Sequence, residues 1–138
     1  MNKTITIEKI INAPIDKVFK AFIAPEDIMK WFYASDGWTT PHAVVDATVD
    51  GKFNIGFQDP DGNHAFDFTG TYTEVTRPNK ISYTIDDGRK VIIDFIKVSD
   101  NETKIIQEFE METINSEALQ RSGWSAQLDH LEDLLNLE

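Results

Sequence analysis

The chain has 138 residues, 24 acidic against 13 basic side chains for a net charge of −11, and no cysteine. Without thiols there are no disulfides, thiolate metal sites or cysteine nucleophiles. With so few Lys and Arg, and none clustered beyond Arg89-Lys90, nucleic acid and anionic membrane surfaces are not expected as partners, because both are held by basic patches. No apolar run approaches a membrane span and no signal-like segment opens the chain, so a cytoplasmic protein is expected.

Residues 3–11 alternate, with Ile5, Ile7 and Lys9 on one face, and predict a first strand. Pro14 suits the first turn of a helix, where its missing N–H costs nothing. Val18, Phe19, Phe22 and Ile23 then recur at helical spacing. Pro25 repeats the start signal, Glu26 and Asp27 suit the positive end of a helix, and Ile28, Met29, Trp31 and Phe32 load this second short helix with apolar surface. Residues 34–42 predict a loop that carries Trp38.

Strands follow in series. Ala43–Val49 is predicted as one, and Asp50-Gly51 turns the chain into Lys52–Gln58, where Phe53, Ile55 and Phe57 share a face. Residues 59–63 form a turn by composition. Ala65–Val75 alternates and puts Phe66, Phe68, Gly70 and Tyr72 together, and Ile81, Tyr83 and Ile85 share a face in the next strand. Asp87-Gly88 predicts a two-residue hairpin with both residues at positive φ. Val91, Ile93 and Phe95 continue inward, and after a turn at 99–101 so do Thr103, Ile105, Gln107, Phe109 and Met111. From Ser116 the period changes to that of a helix, through Leu119, Trp124, Leu128, Leu131, Leu134 and Leu135, with Asn115 or Ser116 as cap. A helix of about 20 residues is about 30 Å long, and strands of about eight residues reach about 26 Å. The helix can therefore close a curled sheet along most of its length. The expected fold is α+β: a curved seven-stranded antiparallel sheet around a long C-terminal helix, with two short helices, in one domain over residues 1–138.

The Ala13-Pro14 start with Val18-Phe19, the Gly70-Thr71-Tyr72-Thr73-Glu74-Val75 strand with Pro78 beyond it, and Gly123-Trp124 in the last helix resemble the START-like (SRPBCC) superfamily. Within it the chain is most similar to the domain homologous to the C-terminal half of the activator of heat-shock protein 90 ATPase, over about residues 5–135. The resemblance implies a helix-grip fold around a cavity. Relatives bind lipids, sterols, polyketides or other apolar molecules, and the family name links the domain to a chaperone and the stress response. Phe19 stands where many relatives have Trp. The eukaryotic co-chaperone also carries a separate N-terminal domain that contributes to chaperone binding, and the resemblance does not extend to it.

No catalytic residues, metal site or cofactor are expected. No serine has a nucleophile's flanks. His42, His64 and His130 do not pair at helical spacing, and His130 is expected to face solvent. Asp59-x-Asp61-Gly62 lacks the further ligands of a calcium loop, and Glu108, Glu110 and Glu112 read as a solvated outer face.

The inward phase carries the functional reading. Phe53, Ile55, Phe57, Phe66, Phe68, Tyr72, Tyr83, Ile85, Ile93, Phe95, Gln107 and Phe109 on the strands, Phe32 and Trp38 near the loop, and Trp124 and Leu128 on the helix are the predicted walls of a ligand cavity between sheet and C-terminal helix. A dry void of about 300 Å³ would cost on the order of 7 kcal/mol, comparable to a whole domain's stability, so such a cavity must be small, wet or occupied. Tyr72, Tyr83 and Gln107 supply polar tips in an apolar wall, the pattern of a small-molecule pocket. The expected partner is an apolar or aromatic small molecule. The alternative is a co-chaperone-like module that binds a chaperone, and an enzyme of cyclase or hydrolase type ranks third.

Overall fold

The computed structural model describes residues 3–33 and 37–136, so positions 34–36 of the predicted loop lie outside the described residues. The elements run β1 (Thr4–Ile11), α1 (Ile15–Ile23), α2 (Pro25–Trp31), β2 (Thr39–Val45), β3 (Lys52–Gln58), β4 (Ala65–Thr76), β5 (Lys80–Ile85), β6 (Lys90–Ser99), β7 (Glu102–Glu110) and α3 (Glu117–Asn136). The strands form one curved antiparallel sheet in the order β1-β7-β6-β5-β4-β3-β2. Hairpins join β2 to β7 in succession, and the α1–α2 corner carries the chain from one edge of the sheet to the other.

Proline starts both short helices. The Pro14 carbonyl accepts from the amides of Lys17 and Val18, and Pro25 occupies the first turn of α2, where its ring presets φ. Val18, Phe19 and Phe22 are buried from α1 and Ile28 and Trp31 from α2. Phe19 and Phe22 each meet Phe95 edge-on, with centroids 5.1 Å apart. The Trp31 indole N–H donates to the Ala21 carbonyl at 2.9 Å, locking the corner. Thr103, fully buried, donates to the Ala13 carbonyl at 2.8 Å and ties β7 to the approach of α1.

Ser116 is the residue that caps α3: its hydroxyl accepts from the Leu119 amide at 3.1 Å. Leu128, Leu131 and Leu135 bury one stripe of the helix. Lys9, on the inward phase of β1, reaches α3 and bridges Asp129 at 2.8 Å and Glu132 at 3.2 Å. The hydrogen bond to Asp129 raises the Lys9 pKa despite the opposing effect of burial.

Four local expectations are corrected. β2 begins at Thr39, inside the predicted loop, and ends at Val45. Residues 46–51 are a turn instead, because Asp46 accepts from Thr48 through both backbone and side chain and Asp50 takes φ 69°. In the β5–β6 hairpin positive φ falls on Gly88 and not on Asp87, and the Gly88 amide donates to the Ile85 carbonyl. That is a three-residue loop with a left-handed glycine at its end, the next commonest hairpin type. His130 does not face solvent: it is half-buried, stacks on the Tyr33 ring at 4.0 Å and donates from Nδ1 to the Tyr33 carbonyl at 2.7 Å. Glu108 and Glu110 lie on the outward phase of β7; there Glu110 accepts from the Lys90 amide at 2.6 Å, and Glu112, past the end of the strand, accepts from the Asn115 amide at 2.7 Å.

Candidate functional site

The core cavity lies under the α1–α2 corner. Phe22, Ile28, Trp31 and Phe32 roof it, and the sheet contributes Phe53, Ile55, Phe68, Tyr72, Ile81, Tyr83, Ile93 and Gln107. The cavity has a volume of about 30 Å³, room for two or three waters. No residue of α3 lines it. The position therefore differs from the expectation, which set the cavity between the sheet and the C-terminal helix.

Half of the predicted wall is gathered here: Phe32, Phe53, Ile55, Phe68, Tyr72, Tyr83, Ile93 and Gln107. Ile85, Phe95, Phe109 and Leu128 are buried in the surrounding core, and Phe57 stacks against Phe32 at 5.7 Å. Phe66 keeps the inward phase beside Phe57, but it lies near the open end of the sheet and is 55% exposed. Half-buried Trp38 meets Phe66 edge-on. Trp124 turns toward the strands, stacking on Phe109 at 4.3 Å and meeting Phe68 edge-on at 6.3 Å. Phe22, Ile28, Trp31 and Ile81 were not foreseen in the wall. Their helical and strand periodicities marked them as core but could not tell which core residues border a gap.

Gly70 helps shape the wall. A Cβ there would lie 2.6 Å from Phe53 Cζ and 2.7 Å from the Thr84 carbonyl oxygen. The bare backbone lets the Phe53 ring cross β4 and meet Tyr83 at 4.9 Å and Tyr72 at 5.4 Å.

The polar groups of the cavity stand apart from the other buried polar side chains. Thr40 donates to the Phe32 carbonyl, Thr103 to the Ala13 carbonyl, and Gln120 uses both ends of its amide on Glu112 and Asn115. Gln107, 3% exposed, makes no such side-chain bond to any described residue. The same holds for the hydroxyls of Tyr72, 4% exposed, and Tyr83, 7% exposed. No fully enclosed polar side-chain atom among the described residues lacks a partner, and all three residues line the cavity. Burial pushes both phenols well above the usual range. The neighbouring Tyr72 adds to the effect at Tyr83, where Arg89 opposes it, and Asp46 adds to it at Tyr72.

A second concavity opens on the surface at the start of α3. Phe66, Leu119 and Trp124 line it, with Arg89, Glu112 and Gln127 among its polar residues, and it is an open groove of about 340 Å³. Phe68 lines the core cavity and touches Trp124, which lines this groove. Ile114, in the connection leading into α3, is 89% exposed. Among the described residues no three His, Asp or Glu side chains are placed to hold a metal ion, and no helix is long and apolar enough to cross a membrane.

Comparison with known proteins agrees with this architecture. The AHSA1-like protein from Aeromonas hydrophila is 35% identical, with a TM-score of 0.90 over 99% of this chain and 96% of that one. A protein from Cytophaga hutchinsonii is 40% identical, with a TM-score of 0.82 over 96% and 91%. An HSP90 activator from Plasmodium falciparum shares the fold at 24% identity, with a TM-score of 0.72 over 96% of each chain. No curated protein matches in sequence. The fold is consistent with a ligand-binding or partner-binding role. The profile of the Activator of Hsp90 ATPase homolog 1-like proteins matches residues 12–136, and the chain belongs to that family.

Proposed function

We propose that this chain is a partner-binding module that engages a chaperone of the Hsp90 type. The family profile, which spans residues 12–136, carries the reading. The Plasmodium falciparum HSP90 activator, of the same fold, supports it. The core supports it too, because a cavity of about 30 Å³ is far smaller than the few hundred Å³ of drug-sized pockets. The groove at the start of α3, with exposed Leu119 and Phe66 and nearby Ile114, offers apolar surface of the kind that marks protein contacts. The test is calorimetric titration of an Hsp90 chaperone with this chain, together with the chaperone's ATPase rate. Binding in the micromolar range with a changed rate is expected. Absence of both overturns the reading.

A second reading rests on a separate observation. Tyr72, Tyr83 and Gln107 line one cavity without spending their polar tips on any described residue, and a few polar groups in an apolar wall suit a small molecule. Native mass spectrometry of the chain purified from its own host tests this: a co-purifying small molecule is expected, and bare protein alone counts against it.

A further inference from the structure

The groove at the start of α3 has a shape and a charge that suit a second copy of this chain. Its apolar walls are Phe66, Leu119 and Trp124, and between the last two Gly123 adds no side chain. Water still reaches these walls, since Phe66 and Leu119 are more than half exposed. Ile114 belongs to the short connection whose Glu112 and Asn115 line the groove, and almost all of it is exposed. An apolar knob and an apolar hollow thus lie close together on one face. A two-fold axis between them seats each Ile114 in the other copy's groove, because an isologous contact uses one patch twice.

Charge selects the occupant. Two chains of net charge −11 repel one another, so they can meet only on a face whose own charges balance. On this face Lys3, Arg89 and Arg121 stand against Asp87, Glu112 and Glu117. Glu117 pairs with both Lys3 and Arg121. Arg89 donates from Nε to Asp87 at 2.8 Å, and its two amino groups bond no described residue. Glu112 spends Oε1 on the Asn115 amide at 2.7 Å, and its Oε2 likewise bonds no described residue. Arg89 and Glu112 both line the groove, so one patch carries the two halves of an ion pair. A basic or an acidic partner answers only one of them. A second copy answers both.

We propose that this chain forms a two-fold dimer through the groove at the start of α3, with Ile114 seated against Phe66, Leu119 and Trp124 of the second copy and Arg89 paired with its Glu112. Self-association needs no chaperone, so it stands or falls apart from the chaperone reading, and it covers the surface on which that reading draws.

Sedimentation velocity of the full chain at about 0.15 M salt, from about 1 μM to about 1 mM, is the test. A dissociation constant on the order of 100 μM is expected, because few side chains carry the contact. Ile114→Asp alters a side chain that the fold leaves in water. It should weaken the dimer about a hundredfold, about tenfold for each of the two copies. Arg89→Glu and Glu112→Lys should each weaken it as well. An equimolar mixture of those two variants should associate again, because every pairing across the axis is then opposite in sign. A merely structural role for either residue gives no such rescue.

Monomer throughout the concentration range overturns the proposal and leaves the groove to other partners. A dimer that Ile114→Asp does not weaken overturns its place on the molecule. A mixture that stays monomeric overturns the pairing of Arg89 with Glu112.

Discussion

The indole of Trp124 lies face to face on the ring of Phe109, with centroids 4.3 Å apart and planes 12° apart. This stack fastens the first half of α3 to the C-terminal end of β7, and the contact with Phe68 extends it toward β4. Aromatic pairs contribute beyond their buried area. Because the indole is only half-buried, Trp124→Ala should destabilise the chain by about 3 kcal/mol, the lower end for a core aromatic. Urea unfolding measures this, and Trp124→Phe should recover most of the loss.

The two buried glutamines predict a contrast. The Gln107 amide makes no side-chain hydrogen bond to a described residue and borders the cavity, so Gln107→Leu gives up no bond to the protein and should change stability by less than about 1 kcal/mol. Gln120→Leu should lower it by about 1 to 2 kcal/mol, because the Gln120 amide joins Glu112 and Asn115 to the start of α3. Paired thermal melts of the two variants check the contrast.

Gly70 leaves no room for a methyl group. The added carbon would press on the Thr84 carbonyl oxygen, which is backbone and cannot swing aside, as well as on Phe53. Gly70→Ala should cost about 2 kcal/mol, read as a lower urea midpoint at unchanged slope.

Alkali should unfold the protein steeply. Tyr72 and Tyr83 ionise well above the usual phenol range in the folded state because they are buried, whereas in an unfolded chain they ionise near pH 10. Above about pH 10 the folded state therefore holds more protons than the unfolded one. Stability is intact below that pH and falls as pH rises, by about 1.4 kcal/mol per pH unit for each tyrosine. Lys9, whose pKa is raised by Asp129, adds in the same direction. Urea titrations at a series of alkaline pH values should show this fall, with a smaller slope in Tyr83→Phe.

Much of this architecture could be read from residue patterns. Alternation placed β1, β3 and β4, and the change of period after Met111 marked α3, because a buried face imposes its spacing on the chain whatever the partner. The two proline starts gave the α1–α2 corner for the same local reason. Reading was poorer where a local preference had two outcomes. Residues 46–49 alternate like a strand, but hydrogen bonds around Asp46 hold them in a turn. Asp87-Gly88 suits a two-residue hairpin, yet the register of β5 on β6 sets a three-residue one. His130 looked solvent-facing from its helical phase, and it was the approach of Tyr33, 97 positions away, that covered it.

Composition and periodicity determined by themselves that this chain folds as a sheet closed by a terminal helix, with aromatic side chains directed inward, since the hydrophobic effect acts on every apolar side chain alike. Where the packing leaves a gap was decided by the tertiary structure. Trp124 stacks on Phe109 beneath α3, the bare backbone of Gly70 admits Phe53, and a small gap falls under the α1–α2 corner beside Gln107. Such a gap is the small difference between large packed volumes, and that difference is set by how side chains distant in sequence meet.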